Sequence, residues 1–315
     1  MVINMIVRLG YVAISKTLDG ITSSSNITYT NFSEDNNYKK LNQVIISNLE
    51  DLIKILHYNE KNNIHFYRMT SNLIPLATHK KVVFEYLDKY KNYYQKISNI
   101  INVNDMRVDM HPSQYCIINS TKKEVVDQSF DILKYHYNLL DIIDIKDKLI
   151  IVHVGSSTFG KKNSLTRFIY NFKWLPKYLQ ECIAIENDDK VFNIEDCLYL
   201  AKELSIPVVL DYHHFLCNGI GKDIDEYLDE ILQTWKDRTP KIHFSSPKSR
   251  REFRSHHDYI NVDEFIDFLC KLREFGKDVD IMIEAKAKDE AMFRLIRELK
   301  YKTNYKFIDD TTFEL

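Results

Sequence analysis

Short apolar runs alternate with longer amphipathic segments along almost the whole chain. The runs occupy residues 6–13, 64–67, 106–110, 149–152, 183–185, 207–210, 241–244 and 279–283. Most of them show little alternation of apolar and polar residues. That pattern is typical of strands in a parallel sheet, where both faces are buried.

Segments with helical spacing follow these runs. In residues 38–61, for example, Leu41, Ile45 and Leu49 recur at intervals of four residues, as on one face of a helix. The other predicted helices cover residues 82–101, 124–143, 165–179, 194–204, 223–235, 262–275 and 289–299. Residues 17–37 are rich in serine, threonine and asparagine, and we predict a loop there.

Eight strand-helix units in 315 residues predict one α/β domain, a (β/α)8 TIM barrel. An open doubly wound sheet also alternates, but it usually carries a GxGxxG motif after its first strand. The sequence Leu9-Gly10-Tyr11-Val12 lacks that motif, which disfavours a dinucleotide site. Because no linker-like stretch divides the chain, we expect the barrel to occupy residues 1–301. Residues 302–315 would form a polar C-terminal tail.

Composition narrows the choice of partners and compartment. The chain has 43 Lys and Arg against 45 Asp and Glu, a net charge of −2, so contact with a polyanion requires a local basic patch. The five cysteines show no CxxC spacing, which favours reduced thiols. No apolar stretch approaches the roughly 20 residues of a membrane span. We therefore expect a cytoplasmic protein without a membrane partner.

Imidazole and carboxylate side chains stand at the ends of six of the apolar runs. They are His111, His153, Glu186, Asp211, His243 and Glu284. In a barrel these ends converge on one rim, where barrel enzymes carry their chemistry. One such residue alone is more often a hydrogen-bonded or ion-paired structural residue. Together they would bury several uncompensated charges, so the pattern predicts a site for two or three divalent ions.

Two further histidines and one ambiguous pair extend this set. His79 follows the second run by a loop, and His256 lies in a polar loop. In an extended segment, alternation would put His213 on the same side as Asp211. A turn after the strand would instead bring His214 beside Asp211. Spacing alone leaves both alternatives open.

A basic stretch lies between two candidate ligands, His243 and His256. It comprises Lys248, Arg250, Arg251 and Arg254. Most charged runs are simply solvated loops. The position of this one favours contact with phosphate groups, and so with a nucleic-acid backbone.

Longer blocks of the sequence resemble the UV damage endonuclease family (the UvdE/UvsE type). Specific blocks are Leu73-Ile74-Pro75-Leu76-Ala77-Thr78-His79, His111-Pro112-Ser113-Gln114-Tyr115, Glu186-Asn187-Asp188-Asp189-Lys190, Lys241-Ile242-His243-Phe244-Ser245-Ser246-Pro247-Lys248 and Met282-Ile283-Glu284-Ala285-Lys286. The matches extend from residue 9 to about residue 288. The resemblance implies a barrel related to endonuclease IV. It also implies three divalent ions, usually described as Mn2+, with Mg2+, Zn2+ or Co2+ as substitutes.

The resemblance also implies roles for individual residues. The ligands would be His79, His111, His153, Glu186, Asp211, His214, His243, His256 and Glu284. Among these, His256 and Glu284 would act in catalysis together with Lys241. The family's matching lysine can be carboxylated. In this chain Lys241 is equally compatible with a plain ammonium group held by nearby acids.

The implied activity is metal-assisted hydrolysis of damaged double-stranded DNA, and we expect the protein to be a monomer. The cut would fall immediately 5′ to cyclobutane pyrimidine dimers, 6-4 photoproducts and abasic sites, leaving a 3′-hydroxyl and a 5′-phosphate. Gln114 and Tyr115 match a pair that inserts opposite the lesion, although an ordinary loop pair is the alternative. Tyr11 matches a position near the lesion pocket, with a core tyrosine as its alternative.

The chain departs from the family pattern in the loop after the fourth run. Gly155-Ser156 stands where two glycines are usual, and Phe159 stands where a tyrosine is usual. Two other functions stay open: a metal-dependent sugar isomerase on the same barrel, and a lesion-binding protein without catalysis. The basic stretch and the Gln114-Tyr115 pair argue against the first, and the full ligand set argues against the second.

Overall fold

The computed structural model describes residues 4–35, 38–219 and 221–315. Its barrel strands are β1 (Ile6–Val12), β2 (Phe66–Met69), β3 (Arg107–Met110), β4 (Ile150–His153), β5 (Ile183–Glu186), β6 (Val208–Asp211), β7 (Lys241–Phe244) and β8 (Val279–Ile283). Each pairs in parallel with the next, and β8 pairs in parallel with β1. The sheet is therefore closed, and the predicted TIM barrel is confirmed.

Helices connect the strands and cover the outside of the barrel. They are α1 (Tyr29–Asp35), α2 (Tyr38–Lys61), α3 (Tyr86–Lys89), α4 (Lys91–Val103), α5 (Lys123–Ile142), α6 (Lys161–Phe172), α7 (Lys177–Gln180), α8 (Ile194–Leu204), α9 (Tyr212–Asn218), α10 (Asp225–Gln233), α11 (Val262–Arg273) and α12 (Lys288–Lys302). None of the helices within the described ranges combines the length and the apolarity needed to cross a membrane.

Several predicted boundaries are wrong. The loop predicted over residues 17–37 contains α1, and residues 36–37 lie outside the described part of the chain. The helix predicted over 82–101 begins only at Tyr86 and is divided into α3 and α4. The helix predicted over 165–179 is divided before α7, where Pro176 is the N-cap residue. Proline lacks an N–H group and clashes with the preceding turn, so it ends a helix from within.

Alternation along each strand separates the barrel interior from the layer of helices. On β7, His243 contacts Glu186 of β5 across the interior, whereas Phe244 packs on Phe265 and Phe268 of α11. Successive side chains of a strand point to opposite faces, so Lys241 shares the interior with His243. The outer faces are apolar, and polar side chains concentrate on the inner face.

The interior is layered along the barrel axis. Near the start of the strands, Asp280 pairs with Arg8 at 3.3 Å and with Arg107. A small apolar cluster is formed by Leu149, Ile151, Ala184, Val209 and Trp235. Three of its members precede a polar strand-end residue by two positions: Ile151 before His153, Ala184 before Glu186 and Val209 before Asp211. On β4, β5 and β6 the polar rim therefore lies one layer above apolar side chains.

The C-terminal residues are attached to the barrel by strand pairing. Two short strands, β9 (Lys306–Phe307) and β10 (Thr312–Glu314), pair with each other, and β10 pairs antiparallel with β1. Phe313 is fully buried and stacks on Tyr305. The stretch that the sequence marks only as a polar tail thus includes a strand with a core side chain.

Candidate metal centre

The strand ends bring imidazole and carboxylate groups together at one rim. Within the part of the chain that the structure describes, three groups have ligand atoms within 4.8 Å of one another: His111 with His153 and Glu186, Glu186 with Asp211 and His214, and Asp211 with His243 and Glu284. Glu186 belongs to the first two groups, and Asp211 belongs to the second and third. The groups therefore form a continuous row, and carboxylates in these positions can bridge neighbouring ions.

Strand register and one helix start create this row. In the parallel pairs, His153 is the partner of Glu186, and Asp211 is the partner of His243. Asp211 is also the N-cap residue of α9, where its side chain accepts a 2.7 Å hydrogen bond from the backbone N–H of His214. This turn brings His214 beside Asp211, the second of the two alternatives that the spacing left open.

Three histidines are oriented by backbone carbonyl groups. Nδ1 lies 2.9 Å from the Pro112 oxygen in His111, 3.0 Å from the Asn187 oxygen in His214 and 2.8 Å from the Glu284 oxygen in His256. A carbonyl oxygen only accepts, so each Nδ1 carries a proton and donates it. When these rings are neutral, Nε2 is left with its lone pair, which is the usual arrangement of a metal-binding histidine.

The upper part of the interior carries more negative than positive charge. Among the described residues, its carboxylates are Asp109, Glu186, Asp211 and Glu284, and its buried cations are Arg68 and Lys241. Two negative charges are left over when the histidines are neutral. Burying unpaired charges is costly, so this arrangement is stabilised by further positive charge, either from bound cations or from protonated histidines.

Two buried polar atoms at the rim support the same conclusion. Within the described ranges, Asp211 Oδ2 and His153 Nδ1 have no hydrogen-bond partner. Buried polar groups without a partner are rare, and each costs about 1–3 kcal/mol. Asp211 Oδ2 offers an electron pair suited to a divalent ion, and His153 directs its other ring nitrogen, Nε2, towards Glu186 at 3.7 Å. The residues present therefore fit a site for metal ions.

Electrostatic coupling within the row shifts the proton affinities of its members. Burial raises the pKa of Glu186, but the neighbouring His243 and His153 outweigh burial and hold the pKa well below its usual range. Burial raises the pKa of Asp211, and Glu284 adds to this effect. Burial lowers the pKa of His214, but Asp211 and Glu186 raise it to about 9. The charged form of each of these carboxylates is thus stabilised by nearby positive charge.

The structure adds Arg68, to which the sequence assigned no role. This side chain is buried and donates from Nε to Asp109 at 3.0 Å and from Nη1 to Glu284 at 2.5 Å, while Nη2 contacts His243. Lys241 lies 3.5 Å from the other oxygen of Asp109. In the sequence this role is indicated only by one arginine within the short apolar strand β2, at a position that faces the barrel interior.

Lys241 lies within the barrel rather than at its surface. Its ammonium group packs 4.9 Å from the ring centre of Phe66. Burial lowers the pKa of Lys241, and the negative charge of Asp109 opposes this shift. The lysine is thus linked to the row of ligand groups through Asp109 and Arg68.

Two of the predicted site residues lie away from the row. His79 stacks on Tyr29, with ring centres 4.1 Å apart, in the loop that follows β2, and it belongs to none of the three groups. Tyr11 is fully buried between the barrel and α2, where its hydroxyl donates to Asn59 at 2.7 Å. Tyr11 is therefore a core tyrosine, which was the alternative to a position near the lesion pocket. The structure does not bring this side chain to the rim.

The Gln114-Tyr115 pair lies on the exposed loop after β3. Gln114 lines a cleft of about 410 Å³ that reaches His153 and His214, and 71% of Tyr115 is exposed. The pair is therefore adjacent to the row of ligand groups.

The basic stretch forms an exposed loop whose two ends are joined. Pro247 and His256 form a β-bridge, and the N–H of Lys248 donates to the Ser255 carbonyl at 2.6 Å. Within this loop Lys248 pairs with Glu252, and Arg254 lies 4.0 Å from Asp189. The loop thus presents the basic side chains beside the rim that carries His256.

Comparison with known proteins assigns this arrangement to a family. The family model for UV-endonuclease UvdE matches residues 7–313. The chain belongs to the UV-endonuclease UvdE family. It is 37% identical to the UV DNA damage endonuclease of Bacillus cereus (strain 03BB102), over 98% of this chain and 100% of that protein. It is 36% identical to the enzyme of the same name from Bacillus thuringiensis subsp. konkukian, with the same coverage.

Solved structures agree with this assignment. The chain superposes on SacUVDE with a TM-score of 0.85 and 37% identity, covering 94% of this chain and 98% of that one. Endonuclease IV from Thermus thermophilus (TM-score 0.57, 13% identity, covering 94% and 100%) and D-allulose 3-epimerase from Methylomonas sp. (0.55, 13%, covering 90% and 86%) share the fold alone. Family membership identifies a DNA repair endonuclease, and the likeness to an epimerase shows only a common barrel.

Proposed function

We propose that this UvdE-family protein nicks damaged double-stranded DNA immediately 5′ to the lesion by metal-dependent hydrolysis. The substrates would be cyclobutane pyrimidine dimers, 6-4 photoproducts and abasic sites, and the products a 3′-hydroxyl and a 5′-phosphate. The observation that carries the proposal is the row of three ligand groups linked through Glu186 and Asp211. A row of this kind supports binding of several divalent ions next to one another, an arrangement that can stabilise both the attacking and the leaving oxygen in phosphodiester hydrolysis.

The ion-binding residues are proposed from the geometry together with the resemblance. The three groups supply His111, His153, Glu186, Asp211, His214, His243 and Glu284. His256 adds an eighth ligand, because its ring lies 6.1 Å from that of His214 and its Nδ1 is held by a carbonyl group. His79 joins the set only when its loop releases the stack on Tyr29. When bound, Mn2+ ions would activate water and stabilise the charge that develops on the phosphoryl oxygens.

Other residues of the chain would bind and orient the DNA. Lys248, Arg250, Arg251 and Arg254 can contact phosphates without reading the sequence. Tyr115 projects from the neighbouring loop with most of its ring in solvent, which suits insertion into a weakened base stack. Damage that has already reduced stacking lowers the free-energy cost of insertion. One enzyme could therefore act on chemically different lesions.

Inside the barrel, two cations would position the reactive groups. Arg68 fixes the carboxylate of Glu284 and, through Asp109, is linked to Lys241. We propose that His256 and Glu284 act beside the scissile phosphate, and that Lys241 contributes to catalysis from within the barrel through Asp109 and Arg68. A group held by fixed partners needs little reorganisation during the reaction, which favours catalysis.

A nicking assay on a duplex with one defined photoproduct tests the proposal. The damaged strand is labelled at its 5′ end and incubated with protein and Mn2+, with and without a chelator. We expect a single labelled product that ends at the residue before the lesion, extends with a DNA polymerase and is absent with the chelator. The undamaged duplex should stay intact.

Two matched substitutions distinguish the proposed site from general effects. Glu284→Gln keeps the size of a predicted ligand but removes its charge, so we expect no detectable product. Glu274→Gln makes the same change at an exposed position beyond α11 and should cut normally. Binding of the damaged duplex without any nicking would indicate a lesion-binding protein. Turnover of a ketose or aldose without nicking would indicate an isomerase.

A further inference from the structure

Phe159 has an aromatic side chain that is exposed to solvent at the rim of the barrel. It lies in the loop between β4 and α6, and 76% of its surface is exposed. Its backbone has φ +64°, in the left-handed region that bulky residues rarely adopt. The backbone strain costs free energy and the exposed ring contributes none through burial, and such local strain is concentrated at functional positions.

The loop around Phe159 is fixed by its neighbours. Asn119 donates to the Ser156 carbonyl and accepts from the Ser156 N–H, each at 2.8 Å. Arg167 donates to the Thr158 carbonyl at 2.5 Å and to the Asn119 carbonyl at 3.0 Å. Two carbonyl groups and one peptide N–H of Ser156 and Thr158, just before Phe159, are thus held in place. The backbone of the loop is therefore fixed, and it holds the Phe159 side chain in solvent.

The same contacts connect this loop to the one that carries Tyr115. Asn119 belongs to the loop after β3, five residues beyond Gln114. Gly155 allows the close approach, because a Cβ atom there would lie 2.8 Å from Asn119 Oδ1. The two joined loops also line the cleft that reaches His153. Tyr115 and Phe159 therefore project from two loops that are hydrogen-bonded to each other, beside the row of ligand groups.

We propose that Phe159 is a second aromatic contact to damaged DNA, which stacks on a base exposed by the lesion. This inference rests on the proposed function. Phenylalanine has no hydroxyl group, so it cannot donate to a phosphate and contributes only its apolar ring. In an intact duplex the faces of the bases are covered by their neighbours, whereas an unstacked base offers a face to an aromatic ring. Phe159 therefore contributes to the preference for damaged over intact DNA.

Substitution by glycine separates this role from a structural one. Glycine adopts positive φ without steric cost, so Phe159→Gly should have a melting temperature equal to or above that of its parent. Phe159→Tyr keeps the ring and serves as the matched variant. Tyr301→Ala removes a side chain that is even more exposed, in the last turn of α12 at the opposite end of the barrel. All variants are made in the Glu284→Gln background so that no cutting occurs during the measurement.

Fluorescence anisotropy with a photoproduct duplex and the matching intact duplex gives the readout. We expect the parent protein, which carries only Glu284→Gln, to bind the damaged duplex more tightly than the intact one. Phe159→Gly should weaken binding of the damaged duplex by about tenfold, within the range for loss of one stacked base, and leave binding of the intact duplex unchanged. Phe159→Tyr and Tyr301→Ala should behave as the parent.

The outcomes separate the two proposals. A parent that binds both duplexes equally would overturn the proposed function and this inference with it. A parent that prefers damage, combined with an unchanged Phe159→Gly variant, would overturn the role of Phe159 alone. Equal weakening on both duplexes would likewise contradict a contact with the lesion.

Discussion

Arg68 Nη1 donates to Glu284 Oε1 across 2.5 Å at the rim of the barrel. The same guanidinium group donates to the buried carboxylate of Asp109. It therefore neutralises one proposed metal ligand and connects it to the layer below, where Asp109 also contacts Lys241. Because the fork of an arginine fixes two acceptors at once, this contact determines the direction in which Glu284 points.

Replacing Arg68 by glutamine should destabilise the protein. The change leaves Asp109 and Glu284 without their main counter-charge, and loss of one partner from a buried ion pair typically costs about 3–5 kcal/mol. Urea unfolding of Arg68→Gln measures this loss. Arg294→Gln, which breaks the exposed pair with Glu298, is the control and should cost less than about 1 kcal/mol. Equal stability of the two variants would contradict the structural importance of Arg68.

Replacing Lys241 by methionine should reduce incision without removing the fold. Methionine fills nearly the same volume, and Asp109 keeps its 3.0 Å hydrogen bond to Arg68. We expect a fall in rate of about a hundredfold, the usual magnitude for loss of one fixed electrostatic contact. Single-turnover nicking gives the rate, and elemental analysis of the Mn2+ bound per protein shows whether the metal site persists. A rate close to that of the parent would remove Lys241 from the active site.

Removal of metal ions should lower the stability of the protein. A ligand that binds only the folded state adds about 2.7 kcal/mol at a concentration one hundred times its dissociation constant. We therefore expect the melting temperature to rise with added Mn2+ and to fall with a chelator. Asp211→Asn removes a carboxylate shared by two ligand groups and should flatten this response. A melting temperature independent of Mn2+ would argue against the site.

Acid should destabilise the protein through His136, a buried residue of α5. Burial lowers the pKa of His136 to about 4, from 6.5 in the unfolded chain. The unfolded state then binds the extra proton between these values, so this contribution to stability is present above pH 6.5 and is lost as the pH falls to 4. The difference amounts to about 3 kcal/mol.

The variant His136→Gln removes this titration. Urea unfolding at several pH values should show that the free-energy difference between parent and variant narrows by that amount from pH 6.5 to pH 4. Parallel curves for the two proteins would show that His136 does not titrate with a lowered pKa.

The C-terminal strand should be required for stability. We propose that residues 302–315 form part of the barrel domain, because β10 pairs with β1 and Phe313 is fully buried. Phe313→Ala should cost about 3–5 kcal/mol, the usual range for a buried phenylalanine. Tyr301→Ala is the matched control at an exposed position and should cost less than about 0.5 kcal/mol. A small effect of both changes would support a dispensable tail.

The sequence by itself predicted the barrel and most of the side chains that cluster at its rim. Eight apolar runs separated by helical segments predict a parallel sheet of the barrel type, and the carboxyl ends of the strands in such a barrel share one rim. His111, His153, Glu186, Asp211, His243 and Glu284 follow directly from their places at those ends. Local rules of this kind depend on the residue order alone.

Tertiary structure decided what depends on turns and on contacts between distant segments. The start of α9 selected His214 over His213, because Asp211 caps that helix. Arg68 acquired its partners from β3, β7 and the end of β8, which no spacing in the sequence relates to β2. The exposure of Phe159 and the burial of Tyr11 have the same origin. Whether a side chain meets solvent or another segment depends on how strands, helices and loops pack, since only the folded chain brings together residues that are remote in sequence.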